Sequence, residues 1–174
     1  MKKLSLFFAL IGFAFLANAQ STTYKNFKVD IDLGYAGPTS GTAKGGATFI
    51  IEPHYRLSDE FALGLRLDAA ALLYQNSAGK NSGAALVSYT LTGDYYLTKD
   101  GFRPFIGGGV GFFTQESASA GTTGVKSGTN VGVFPRIGFE AGHFRAAADY
   151  DIAGGGTTYF GVTIGVAIGG GSRK

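Results

Sequence analysis

From Phe27 to Tyr35 the chain alternates without exception. Phe27, Val29, Ile31, Leu33 and Tyr35 are apolar, and between them stand Lys28, Asp30, Asp32 and Gly34. Successive side chains of a strand point to opposite faces, whereas a helix would spread this pattern around its axis. The run therefore predicts a strand with one apolar and one polar face. Seven further segments follow the same rule: 47–57, 61–73, 85–97, 102–112, 131–141, 144–152 and 160–168. In 47–57, for example, Phe49, Ile51, Pro53, Tyr55 and Leu57 oppose Thr48, Glu52, His54 and Arg56. The pattern predicts eight strands.

The connections alternate too. Segments 58–60, 98–101 and 142–143 are tight, whereas 36–46, 74–84, 113–130 and 153–159 are longer and rich in Gly, Ser and Thr. Short turns at one end and long loops at the other are the pattern of an outer-membrane barrel, with the turns periplasmic. Period two alone also fits a soluble barrel, and three features point to lipid. The apolar face carries no Asp, Glu, Lys, Arg or His, while the polar face carries six basic residues (Lys28, Arg56, Arg66, Arg103, Arg136, Arg145), eight acidic ones (Asp30, Asp32, Glu52, Asp68, Asp94, Glu140, Asp149, Asp151) and His54. The segments approach or exceed the roughly 9–11 residues a tilted strand needs to cross a bilayer. Tyr35, Tyr55, Phe61, Tyr95, Phe112 and Phe144 sit near strand ends on the apolar face, where an interfacial girdle would lie. Pro53, Pro104 and Pro135 each remove a ladder donor, and are expected at barrel rims or bulges.

Residues 1–19 read as a cleaved signal peptide, and 20–174 as the barrel domain. Lys2 and Lys3 form a basic start, Leu4 to Ala17 an apolar stretch, and Ala17-Asn18-Ala19 a cleavage site ahead of Gln20. The apolar stretch is shorter than the roughly 18–20 residues of a spanning helix. Without Lys2 and Lys3 the formal charge falls from +3 to +1, so the basic balance is no sign of nucleic-acid binding. There is no cysteine, hence neither a disulfide framework nor thiol chemistry. Glycine, 29 of 174 residues, is more than twice its usual share of about 7%. The runs Gly107-Gly108-Gly109 and Gly154-Gly155-Gly156 open no helix and precede no Lys-Ser/Thr pair, so small residues in a narrow lumen explain them better than a phosphate loop.

The eight alternating strands, together with Gly93-Asp-Tyr-Tyr-Leu97 leading into Arg103-Pro-Phe-Ile-Gly-Gly-Gly-Val-Gly111, resemble the small outer-membrane barrel proteins of the OmpX, OmpW and OmpA-barrel kind. The resemblance covers nearly the whole mature chain and implies an all-β, eight-stranded, antiparallel, up-and-down transmembrane barrel. It further implies an outer-membrane location, handling by the barrel-assembly machinery, a monomer among outer-membrane lipids, and loops that meet an extracellular partner. Such proteins often end on an aromatic residue, whereas here Ile168 is followed by Gly-Gly-Gly-Ser-Arg-Lys.

For chemistry, the inward charges matter most. Asp30/Asp32 and Asp149/Asp151 could supply oxygen ligands to a cation, but an internal ion network is the better reading. An eight-stranded barrel is filled by its own side chains, and charges withdrawn from water there must pair. The expected network comprises Asp30, Asp32, Glu52, Arg66, Asp68, Arg136, Glu140, Arg145, Asp149 and Asp151, with His54 a hydrogen-bonded member. Gly142-His143 suits a type II′ turn, which would set Glu140 against Arg145 and Arg136 against Asp149; Glu52 would oppose Arg66 across the 58–60 turn. Leu65→Arg should then be costly on the lipid face, and Gly64→Ser milder. No cofactor or metal is expected. A hydrolase would need a nucleophilic Ser beside a His and a carboxylate, and the apolar face offers no His. The reading is thus a non-enzymatic envelope scaffold or surface-interaction protein. A conduit of the OmpW kind for small solutes is the alternative, and a lipid-directed enzyme the third.

Overall fold

The computed structural model describes residues 23–39, 45–75, 81–118 and 125–172, so the expected signal segment lies outside the described residues. Eight strands form: β1 (Phe27–Pro38), β2 (Gly46–Arg56), β3 (Phe61–Gln75), β4 (Asn81–Tyr96), β5 (Phe102–Ala118), β6 (Val125–Ala141), β7 (Phe144–Ala153) and β8 (Thr157–Gly169). Each pairs antiparallel with the next, and β8 closes on β1, giving an up-and-down barrel with no open edge. The alternation sorts as the sequence reading requires. Leu33, Leu65 and Ile137 on the outside are 61%, 59% and 63% exposed, while Lys28, Asp30 and Asp94 inside are fully buried. Of the six girdle aromatics, Tyr35, Tyr55, Tyr95, Phe112 and Phe144 are exposed and Phe61 is half-buried.

The strands overrun the alternating segments at the loop end. Gln75 pairs with Asn81, and the β5–β6 ladder continues to Ala118 opposite Val125. Segments 113–118 and 125–130, read as loop from their polar character, are thus paired strand. The physical reason is that apolar alternation reports contact with lipid. Where a strand runs past the hydrocarbon its outer face needs no apolar residue, yet its backbone ladder persists, as at the exposed Thr114–Thr129 hydroxyl pair 2.9 Å apart.

The three prolines follow one rule. Arg56 N donates to Asn26 O, so the even-numbered amides of β2 face β1 and the odd positions, Pro53 included, face β3. The β2–β1 pairing runs unbroken through Val29–Pro53, whereas the β2–β3 ladder skips Glu52 and Pro53 opposite Leu65 and Arg66. Pro135 does the same on β6. Val131 O accepts from Gly154 N, so odd positions face β7, and the β6–β7 ladder skips Phe134 and Pro135. Pro104 lies just beyond the last β4–β5 pair, Tyr96–Phe105, and accepts from Leu97 N without returning a bond. Only Pro104 is therefore a rim proline. The other two sit within strands, and each costs a donor on one side only.

The tight turns share the barrel end with both ends of the described chain. Gly142 has φ +63 and, among the described residues, no non-glycine residue has positive φ, which matches the type II′ pattern. Ala141–Phe144, Glu140–Arg145 and Arg136–Asp149 are opposed as that turn demands. Lys99 lies 2.6 Å from Glu60, joining the β2–β3 and β4–β5 turns. The hydrogen bond from Lys99 holds the Glu60 carboxyl below the usual carboxylate range.

Candidate functional site: the charged lumen

All ten charged residues of the expected network point inward and are at most 6% exposed. They are arranged in layers along the axis. At the turn end Lys28 Nζ lies 2.8 Å from Asp30 and also bonds Glu140. Arg145 reaches Glu140 at 2.7 Å and Asp94 at 3.2 Å. Arg56 lies 3.2 Å and Arg103 3.9 Å from the same Glu140. One carboxylate thus serves four cations.

In the middle layer Arg136 is held on two sides. Its NH1 and NH2 donate to Glu52 at 2.6 and 2.7 Å, and its Nε and NH2 donate to Asp94 at 2.8 and 2.9 Å. His54 lies between the carboxylates, with Nδ1 2.9 Å from Asp30 and Nε2 3.0 Å from Glu52. Nearer the loops the balance inverts. Arg66 donates to Asp68 at 2.9 Å and to Asp149 at 3.3 Å, and Asp151 is buried beside them. Asp32 is 4.0 Å from Arg145, the edge of an ion pair. Two apolar groups share the lumen with these charges: one of Ala36, Ala70, Leu72, Leu86 and Tyr159, the other of Phe113, Phe134 and Ala153.

Opposition across a ladder does not always become a bond. Glu140 and Arg145 are opposed and bonded. Arg136 and Asp149 are opposed, yet Arg136 bonds Glu52 and Asp94 while Asp149 takes Arg66. Glu52 and Arg66 fall opposite one another at the Pro53 gap, and they too bond elsewhere. An arginine is long enough to cross a narrow lumen, and so Arg136 meets carboxylates on β2 and β4 while Arg66 meets one on β7.

Two contributions complete the lumen, and the first of them escaped the sequence reading. Aromatic rings on the polar face carry the guanidinium groups: Arg103 lies 4.1 Å from the Tyr96 centroid and 4.3 Å from that of Tyr24, Arg145 4.2 Å from Phe105, and Arg66 4.5 Å from Phe134. Arginine stacks on such faces more readily than lysine, because its planar cation is weakly hydrated. The signal was there, since Phe105 and Phe134 interrupt the alternation beside Pro104 and Pro135. The second contribution is the glycine partner. Gly107, Gly161 and Gly165 stand opposite Asp94, Asp149 and Asp32, and a Cβ on any of them would collide with the Oδ1 of its partner. The inward glycines are the space in which the carboxylates lie.

His143 is apart from this network, its Nδ1 2.8 Å from Ala167 O at the turn end. Beside it a recess of 230 Å³ opens among Tyr24, Arg56, Arg103 and Gly170. The chain ends cross here: Tyr24 bridges to Ser172, and Arg56 donates to Gly170 O at 2.6 Å.

This architecture is that of small outer-membrane β-barrels. Neisserial surface protein A is similar over 84% of this chain and 98% of its own, with a TM-score of 0.62 at 17% identity. The outer membrane protein OprG of Pseudomonas aeruginosa is similar over 87% and 96%, with a TM-score of 0.62 at 16% identity. Ail, the attachment invasion locus protein of Yersinia pestis, solved in complex with the heparin analogue sucrose octasulfate, is similar over 84% and 99%, with a TM-score of 0.51 at 13% identity. No protein-family model and no curated protein sequence matches the chain.

Proposed function

We propose that the protein is an integral outer-membrane scaffold with a closed lumen, exported by a signal peptide cleaved after Ala19, which presents its loops outside the cell. The observation that carries this reading is the filling of the lumen. From Lys28 at the turn end to Tyr159 near the loops, the inward side chains are buried and interlocked by ion pairs, ring stacking and apolar contact. Breaking a buried ion pair by removing one partner costs about 3–5 kcal/mol, so Arg66, the charge bonded to both Asp68 and Asp149, cannot leave its layer cheaply. Such an interior is a brace and not a channel. The polypeptide would act through its outer surfaces, as a monomer in lipid, with the barrel-assembly machinery inserting it and an extracellular partner meeting its loops. A non-enzymatic role is favoured by the two histidines, since His54 is enclosed by carboxylates and Arg136, and His143 is tied to a backbone carbonyl.

Planar-bilayer recording tests the closed lumen. Purified, folded protein should add no steady ion current. Steady conductance that vanishes when the barrel is heat-unfolded would overturn the scaffold and favour the conduit.

A further inference from the structure

On the outer face an apolar trough of 550 Å³ runs from Leu97 and Phe102 at the turn rim, past Ile137, to Ile164 on β8. Its floor includes Ala146 and Ala148, two successive outward positions of β7, and Gly138 opposed to Ala147 beneath them. The register explains the hollow. Ala146 stands between Phe139 and Ile164, and Ala148 between Ile137 and Val162, so β7 is lower than both neighbours. We propose that this trough binds one phospholipid acyl chain, from the leaflet at the turn end, as an ordered ligand of the barrel.

Three observations point to this occupant. The trough belongs to the face whose exposed Ile137, Val162 and Ile164 meet hydrocarbon, so whatever fills it arrives laterally from the membrane. Its lining is almost wholly apolar and asks nothing of its ligand but an alkyl chain. At its rim the rings of Phe102, Phe139 and Phe144 form a tilted row, with centroids 4.8 and 5.9 Å apart, as an interfacial belt does, and the exposed Lys99, paired with Glu60, lies on the adjoining turn within the same interfacial zone as a phosphate headgroup. A second copy of the chain fits less well. A two-fold contact brings the same patch together on both subunits, and two hollows leave a void.

The proposal rests on the chain spanning a membrane, which a heat-modifiability gel on membrane-extracted protein checks separately. Barrel reconstituted with vesicles of phosphatidylethanolamine and phosphatidylglycerol, then extracted in mild detergent, would be examined by native mass spectrometry. The wild type should retain one phospholipid. The double variant Ala146→Leu/Ala148→Leu, which fills the trough, should lose it, while Ala69→Leu on the outward face of β3 should keep it, all three being heat-modifiable. Equal retention in wild type and filled variant, no retention in any, or a wild-type dimer dispersed by filling would each overturn the proposal. So would displacement by free palmitate with no phospholipid bound, since the ligand would then be a solute and not a membrane lipid.

Discussion

Arg136 donates four hydrogen bonds to two carboxylates in a space closed to water, so its loss leaves Glu52 with His54 alone and Asp94 with a single bond from Arg145 beside His54. Arg136→Ala should cost about 3–5 kcal/mol in urea unfolding from lipid vesicles. A double-mutant cycle should then discriminate between opposition and contact. Arg136 with Glu52 is expected to show coupling within the range of about 0.5–3 kcal/mol, and Arg136 with its ladder neighbour Asp149 clearly less. Larger coupling to Asp149 would mean that strand neighbours, and not partners across the lumen, hold the network. The same scale puts numbers on the contrast between Leu65 and Gly64. Leu65→Arg on the 59%-exposed lipid face keeps its expected cost, about 2–4 kcal/mol near the bilayer midplane. Gly64→Ser, expected to be the milder change, still carries a cost, because a Cβ there would lie 2.6 Å from both His54 Cδ2 and Thr92 Oγ1. Overpacking of this kind costs about 1–3 kcal/mol, so both variants should unfold at lower urea than wild type. Wild-type behaviour of Gly64→Ser would show that His54 has room to yield.

At the level of the strands, Pro53 makes a directional prediction. Its nitrogen faces β3, where the ladder lapses, so Pro53→Ala supplies a donor at that gap. A hydrogen bond nets about 0.5–1.5 kcal/mol, and removing a proline frees the unfolded chain by about 0.4–1 kcal/mol. Net stability should hardly move. The new amide should nonetheless be protected in hydrogen exchange, and rapid exchange there would show that the seam is held open by something other than the missing donor. Strand number, face assignment and the β6–β7 register were legible in the sequence, because each rests on period two or on a turn whose geometry is local. Gly142-His143 fixed three opposed pairs from two residues. Two things were not legible. The extensions of β3 to β6 lie where lipid no longer imposes a pattern, and the partners of Arg66, Arg136 and Glu52 depend on reach across the lumen. Closure brings β2, β4, β6 and β7 around one axis, and no spacing along the chain encodes which carboxylate an arginine will choose.

For the whole molecule, the asymmetry between its two ends sets the topology. The three tight turns and both described chain ends gather at one end, where Lys28, Arg56, Arg103 and Arg145 outnumber Asp30 and Glu140. At the other end β5 and β6, each 17 residues, run well beyond the roughly 9–11 that span a bilayer. Their excess lies toward the loops, since their turn-side ends are level with those of β4 and β7 through the pairs Tyr96–Phe105 and Ala141–Phe144. A barrel that projects at its loop end and finishes in tight turns at the other is expected to project outside the cell. Protease shaving at Lys126 is a poor probe of this, because Lys126 lies in β6, opposite Ser117, and not in a free loop. Epitope insertion is cleaner. A tag placed between Ala120 and Gly121 should bind antibody on intact cells, and one placed between Asp100 and Gly101 only after the outer membrane is permeabilised. Gly101 has φ +61 and open space around it, so an insertion there lengthens a turn without displacing a lumen side chain. Heat modifiability of both tagged proteins would confirm that each is folded. If the tag at 100–101 is the one labelled on intact cells, the barrel sits the other way up, and the cation-rich mouth, not the extended strands, faces the outside.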